Sequence, residues 1–315
     1  MAVTKNSRSL QITDPVLTRI ARQYRPNGFV YDQLAPSVPI ANEAFQYITF
    51  GRDWFNAVDP TNLKADRTES KEIDLEYSLV SGLAQEYALK VSISDRERAN
   101  AAPGLQLERS KQALLSDRMA IAREVRLAAL LRKTDVTGGG LNLGATPSVN
   151  WDQDTAVIET DITIAKEAVY DATGYVPNTI VIPWKVANAI AKQEDIREIL
   201  KYTVNGQEIL RQGELILPRA LWGLRVLIAR GQKATNAEGA TVATSEVWGT
   251  HVRVLYVDPN AQYGIPSVAY SFVNKPITVT RWRETDPDVE YVREHEIVSE
   301  LVTAPDMGYE IREVL

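Results

Sequence analysis

Three patterns in the 315-residue chain predict an α+β fold. Two stretches, near 71–94 and from 267 onward, alternate apolar and polar residues with a period of two, the mark of half-buried strands. Between them, Leu105 to Lys133 contains no Gly or Pro and repeats apolar residues at helical spacing. From Trp151 to about residue 261, short apolar runs alternate with helical ones, an α/β segment inside a chain that is otherwise strand-rich.

The composition, 44% hydrophobic and 24% charged, is that of a folded globular chain long enough to bury a core. The net charge of −6 favours solubility and still leaves room for a local basic patch. With no cysteine, disulfides, thiolate zinc sites and a cysteine nucleophile are excluded. The opening "MAVTKNSRSLQITDP" has no signal-peptide core, and no apolar run reaches about 18 residues, so no membrane partner is expected.

Residues 1–44 read as an arm. Pro15, Pro26, Pro36 and Pro39 interrupt regular structure. One short helix is predicted, capped by Asp14, with Pro15 in its first turn and an apolar side of Val16, Leu17, Ile20 and Ala21. Phe29, Val30, Tyr31, Leu34 and Val38 then follow in an extended segment that needs another surface to cover it. Lys5, Arg8, Arg19, Arg22 and Arg25 make the arm basic in an acidic chain, which points to an acidic partner such as nucleic acid or to a solvated tail.

The stretch "GRDWFNAVDPTNLKADRTES" is polar, without period, and too long for an ordinary connection. It leads into "KEIDLEYSLVSGLAQEYALKVSIS", read as a β-hairpin: Ile73, Leu75, Tyr77 and Leu79 form one stripe, and Tyr87, Leu89, Val91 and Ile93 the other. In the long helix that follows, Leu114, Met119, Ala122, Val125 and Ala129 mark the apolar side, and the glycine stretch after it ends it. Further on come a helix stopped by Gly174, the buried strand "NTIVI" and a helix opened by Pro183. Helical "EDIREILKYT", strands in "LIL", "LRVLIAR" and "SEVWGTHVRVLYVD", and the C-terminal strands "SVAYSFV", "ITVTRWRE", "DVEYVREHEIVSELV" and "GYEIREV" complete the reading.

Two stretches approach known chemical motifs. "HEIVSEL", residues 295–301, begins like the zinc-protease H-E-x-x-H, but Ser299 stands where the second histidine belongs. Strand alternation would send His295 and Glu296 to opposite faces, with Glu290, Glu294, Glu296 and Glu300 forming an acidic outer face. "TGGGLNLG", residues 137–144, follows a helix and lacks the Lys of a phosphate loop, so a flexible turn is expected. With two histidines, no cysteine and no catalytic signature, no enzyme activity, metal or cofactor is expected.

The order of these elements resembles the tailed-phage major capsid proteins of the Hong Kong 97-type fold. The phrases that carry the resemblance are "ITDPVLTRIARQYRPNGFVYDQLAPSVPI", "GYVPNTIVIPWKVANAIAKQEDIREILKY", "WGLRVLIARGQKAT" and "MGYEIREVL". Each phrase is degenerate; their order over nearly the whole chain is what is specific.

The resemblance implies an N-terminal arm (1–44), an extended β-hairpin loop over a neighbour (45–100) and a peripheral domain with a long spine helix (101–158). An axial α/β domain (159–261) and peripheral C-terminal strands (262–315) complete it. It implies a virion protein, assembled in the host cytoplasm, that closes in many copies, as hexamers and pentamers, around double-stranded DNA held by weak contacts. A portal protein and a separate scaffolding protein are implied partners, the latter because the sequence begins with Met1 almost directly at the arm; a decoration protein is left open. The basic residues of the arm would include inward-facing groups, and Arg52, Trp54, Phe55, Lys64, Arg67 and Lys71 would meet neighbouring subunits. Some such proteins cross-link a loop lysine to a neighbour's asparagine; Lys64, Lys71 and Asn274 lie in the corresponding regions, where surface lysines are also the default. Two alternatives stand beside this reading: an encapsulin-type compartment shell, disfavoured by the extended arm, and a soluble α/β enzyme with an unrecognised site.

Overall fold

The computed structural model describes residues 11–24, 28–56, 63–64, 66–69, 78–101, 106–132, 140–153, 155–194, 196–198, 217–235, 243–260, 262–285 and 288–315. The first half of the chain runs β1 (Ile12–Thr13), α1 (Pro15–Gln23), α2 (Tyr31–Leu34), β2 (Ser37–Pro39), β3 (Ala44–Thr49), α3 (Arg52–Asn56), β4 (Ser78–Leu83), β5 (Gln85–Ser94), α4 (Asp95–Ala99) and α5 (Leu107–Leu130). Next come β6 (Leu143–Ala145), α6 (Ile158–Thr173), β7 (Thr179–Pro183), α7 (Trp184–Ile190), β8 (Ala220–Leu221), β9 (Leu224–Ala229), β10 (Gln232–Ala234), β11 (Thr244–Glu246) and β12 (Val252–Leu255). Two long strands, β13 (Ala269–Thr285) and β14 (Asp288–Val302), a 3₁₀ turn and β15 (Gly308–Ile311) follow.

Two sheets organise these elements. A five-stranded sheet runs β1-β13-β14-β5, with β2 parallel to β13 beside β1's end of the same edge. A six-stranded sheet runs β6-β15-β12-β7-β9-β8. The β3–β4 and β10–β11 pairs stand apart. The helix α5 has 24 residues, roughly 36 Å at 1.5 Å each. It packs on β14 and β5 with one part and on the core beneath the six-stranded sheet with another.

Local chemistry accounts for several element ends. Asp14 Oδ1 accepts from the Val16 and Leu17 amides, and Pro15 occupies the first turn of α1, where no N–H is needed. Leu17 and Ala21 of this helix are buried, whereas Val16 faces solvent. The helix α6 stops at Gly174, whose φ of 72° closes the last turn without Cβ strain. All five residues of β7 are buried, as an interior strand requires.

The main core lies on one face of the six-stranded sheet, where Ile162, Ala165 and Val169 of α6 meet Ile180, Ile182, Val252 and Val254. On the other face, Val181, Leu227 and Leu255 join Leu127 of α5, its C-cap Leu131, and Val30, Tyr31 and Leu34 of the arm. Val30, Tyr31 and Leu34 of the arm are therefore covered by their own chain. Each such side chain, once buried, contributes about 1.5–3 kcal/mol.

The structure corrects four expectations. First, the strands β4 and β5 do not form a hairpin with each other: β4 pairs with β3, and β5 pairs with β14. The extended two-stranded feature exists, but its partners are Ala44–Thr49 and Ser78–Leu83; residues 71–77 lie outside the described residues. Second, α5 buries Gln112, Leu115, Ser116, Met119, Arg123, Glu124 and Leu127, while Leu114, Ala122 and Ala129 are exposed. Third, the glutamate face of β14 is inward, because α5 covers it. Fourth, "SVAYSFV" and "ITVTRWRE" are one strand with register shifts between Val273 and Thr278, and "SEVWGTHVRVLYVD" is two strands, with Gly249 (φ 62°) between them.

Of the glycine stretch, 137–139 lie outside the described residues, and Leu143–Ala145 pairs with β15. Most of "EDIREILKYT" and "LIL" lies outside them as well.

Candidate functional site

A seam of charge runs between α5 and β14. Strand alternation places Glu294, Glu296 and Glu300 on one face of β14, and helical spacing turns Gln112, Ser116, Arg123 and Arg126 toward them. Arg126 Nη2 reaches Glu300 at 2.9 Å and Glu296 at 3.9 Å, and its guanidinium carbon lies 3.7 Å from the centroid of the Tyr87 ring. The side chain of Arg123 is 8% exposed; its Nε lies 3.3 Å from Glu300, too poorly aligned for a hydrogen bond. Its Nη1 stands 3.7 Å from Glu296 and 3.9 Å from Asp32. Burial raises the pKa of Glu296, with Arg123 opposing.

Glu294 has no cation partner in this seam. Its Oε2 accepts from Ser116 Oγ at 2.8 Å and from Gln112, and burial pushes its pKa up to about 7. Glu124, one helical turn beyond Ala120, ties the arm to the rest of the chain. Its carboxylate accepts from the Tyr31 amide at 2.9 Å, the Val30 amide at 3.1 Å and Trp248 Nε1 at 2.6 Å. Burial raises its pKa to about 7 despite these donors. Arg253, fully buried, donates to the Leu131 carbonyl and to Glu310 and lies over the Trp248 ring, and burial pulls its pKa down to about 10.

These groups form a structural network. His295 and Glu296 face opposite sides of β14, and among the described residues no group of three His, Asp or Glu could hold a metal. Sequence reasoning missed the seam because it treated the glutamates as solvated. The available signal was the pair Arg123 and Arg126 on a helix that must cover something.

The residues expected at interfaces divide. Trp54 and Phe55 belong to an aromatic chain within the subunit: Trp54 and Phe55 pack on Phe50, Phe55 on Tyr175, and Tyr175 on Tyr256. Arg52 pairs with Asp306 at 3.1 Å. Lys64 and Arg67 are exposed, and Lys71 lies outside the described residues. In the arm, Lys5, Arg8 and Arg25 also lie outside them. Arg19 is exposed on α1, and Arg22 Nε donates to the Ile277 carbonyl at 2.7 Å. Asn274 Nδ2 donates to the Ala41 carbonyl at 2.9 Å, so its amide holds β13 to the arm.

In the ribbon of β3 and β4, Phe45 and Tyr47 of β3 pack on Phe272, whereas β4 is largely uncovered. Leu79, Val80 and Leu83 of β4 are 53%, 38% and 60% exposed, although strand alternation sends Leu79 and Val80 to opposite faces. Such a ribbon leaves apolar surface to be covered from outside.

No protein-family model matches the chain. The major capsid protein of Burkholderia phage BcepMu is 25% identical over 318 residues, covering 95% of this chain and 96% of that one. The crystal structure of a phage-related protein from Bordetella bronchiseptica superposes with a TM-score of 0.73 at 22% identity, over 97% of this chain and 98% of the other. The capsid of cyanophage P-SCSP1u gives a TM-score of 0.59 at 12% identity, over 91% and 88% of the two chains.

The two sheets, the long helix and these full-length likenesses define the Hong Kong 97-type fold. The major capsid protein of Pseudomonas phage JBD67 is likewise similar over its full length, at 23% identity over 94% of this chain and 95% of that one.

Proposed function

We propose that copies of this chain close, as hexamers and pentamers, into the icosahedral head shell of a tailed double-stranded DNA phage and enclose its genome. The observation that carries this reading is the β3–β4 ribbon, in which Leu79, Val80 and Leu83 of β4 are exposed on both faces. A neighbouring copy covers such a ribbon in a symmetric or quasi-symmetric assembly. The work of the protein is assembly and not turnover.

In this reading, residues 1–44 form the arm, 45–100 the extended loop and 101–158 the peripheral domain with α5 as its spine. Residues 159–261 form the axial domain, and within 262–315 the strands β13 and β14 serve the peripheral sheet while β15 joins β12. A scaffolding protein guides closure, a portal occupies one vertex, and a decoration protein is an optional outer partner. The site of action is the virion, after assembly in the host cytoplasm. DNA is held by weak contacts, with Arg19 the exposed described candidate and Lys5, Arg8, Arg22 and Arg25 the other basic groups of the arm. Arm Arg-to-Ala variants that package DNA normally would remove that part of the proposal.

Negative-stain electron microscopy of the purified protein, with its absorbance ratio at 260 and 280 nm, tests the whole. Closed shells or capsomer rings are expected, and bound nucleic acid separates a genome container from a cargo compartment. Monomers that persist on co-expression with the neighbouring genes would overturn the shell reading.

A further inference from the structure

The short helix α3 holds no fully buried residue, and five residues are too few to stay helical unaided. Its surroundings hold it. Just before it, the Phe50 amide donates to the Thr303 carbonyl at 2.8 Å, and the Phe50 side chain is buried. Arg52 Nε donates to Asp306 Oδ1 at 3.1 Å. At the far end, Asn56 Nδ2 donates to the Ala172 carbonyl at 2.9 Å, beside the edge contact of Phe55 with Tyr175. Arg52 is the informative member. Its side chain is 58% exposed, yet it reaches back to a carboxylate that is 4% exposed, and among the described residues Asp306 has no other cation within 4 Å. A buried carboxylate keeps its charge only where a cation or donors meet it, so Asp306 draws Arg52 inward.

One contact would fix a point. Contacts just after β14, in the 3₁₀ turn and at the end of α6 together fix a direction. The direction matters because residues 57–77 follow, 21 residues before β4 begins at Ser78. Out and back, such a length reaches at most roughly 35 Å at about 3.3 Å per residue. A swing of about 10° at its root would displace the far end by about 6 Å, beyond the roughly 4.5 Å over which side chains touch. We infer that Arg52 and Asn56 are positioning residues for assembly: they clasp α3 to the body of the subunit and aim the excursion of residues 57–77 before any neighbour arrives.

This inference rests on the shell reading, and the test separates the two. The chain has no cysteine, so Glu69→Cys and Thr163→Cys, both at exposed positions, provide one pair of spin labels, on the excursion and on α6. Double electron–electron resonance on the unassembled, labelled subunit should give one narrow distance distribution. Arg52→Ala should at least double its width while the circular dichroism spectrum stays the same, and the yield of shells should fall at least fivefold. Arg52→Lys, which keeps the cation, should restore both. An unchanged width in Arg52→Ala, or a wide distribution already without it, would overturn the inference and leave the shell reading intact. So would a widened distribution with normal assembly. Lost assembly without widening would put Arg52 against a neighbour and overturn it as well. If Arg52→Ala misfolds, Asn56→Ala decides on the same readouts. If the unsubstituted chain never assembles, the shell reading fails and the inference with it.

Discussion

Replacing Glu294 by Gln isolates the contribution of one buried carboxylate to stability. In the wild type, Oε2 accepts from Gln112 and Ser116, and Oε1 has no partner. A glutamine can keep its oxygen at the first position and place its NH₂ at the second, so one unmet atom replaces another. What changes is the charge. Burial raises the carboxyl from 4.5 to about 7, an interval that corresponds to roughly 3 kcal/mol at about 1.4 kcal/mol per pH unit.

The sign is opposite to that of a salt-bridged carboxylate. Below pH 4.5 the folded and unfolded states are both protonated and stability is complete; as pH rises through 4.5 toward 7, the folded state alone keeps the proton and stability is lost. Above about 7 the loss is constant. Glu294→Gln should therefore match the wild type near pH 4.5 and exceed it by about 2–3 kcal/mol at pH 8. Equilibrium urea denaturation of the unassembled subunit, followed by tryptophan fluorescence, gives both values. A variant whose difference from wild type is the same at the two pH values would refute the reasoning, because the carboxylate would then carry no desolvation penalty.

Other substitutions probe the same network. Trp248→Phe keeps the ring over Arg253 but removes the donor to Glu124; it should cost about 1–3 kcal/mol at pH 8 and less at pH 5, measured by the same denaturation. Arg253→Met removes the buried guanidinium that donates to Glu310 and to the Leu131 carbonyl and should cost about 3–5 kcal/mol, seen as a lower urea midpoint. Gly308→Ala puts a Cβ 2.7 Å from Leu141 Cδ2 and 2.8 Å from Leu255 Cδ2, so a loss of about 1–3 kcal/mol and a lower Tm are expected. Phe55→Ala breaks the aromatic chain inside the subunit and should lower the unassembled subunit's stability by about 1–3 kcal/mol; an effect confined to assembly would return Phe55 to the interface.

What could be read from the sequence was local. Asp14 before Pro15 specifies a helix start through one side-chain oxygen, and Gly174 specifies a stop through one dihedral angle. The alternation in 288–302 specifies a strand. It does not say which face is buried, because period two is the same whether glutamates meet water or arginines. The arginines that decide the matter lie about 170 residues earlier on α5. The same limit explains the pairing of β4. Two adjacent alternating stretches look like a hairpin, and only three-dimensional placement shows Ala44–Thr49 as the partner of β4. The apolar side of α5 was misread for a related reason: a helix packed on charged strand residues buries Gln112, Ser116, Arg123 and Glu124, which no hydrophobic period can reveal.

The place of β15 bears on how the protein is made. This strand lies between β6 and β12 in the six-stranded sheet, and Val314 beyond it accepts from Trp151 and donates to Thr250. During synthesis every other strand of that sheet is translated first, and β12 waits with an open edge until residue 311 has emerged. Until then β6 has no neighbour to pair with. A nascent chain thus cannot complete its own sheet before its last residues have emerged. Chain order alone makes completion of the six-stranded sheet a last step of synthesis.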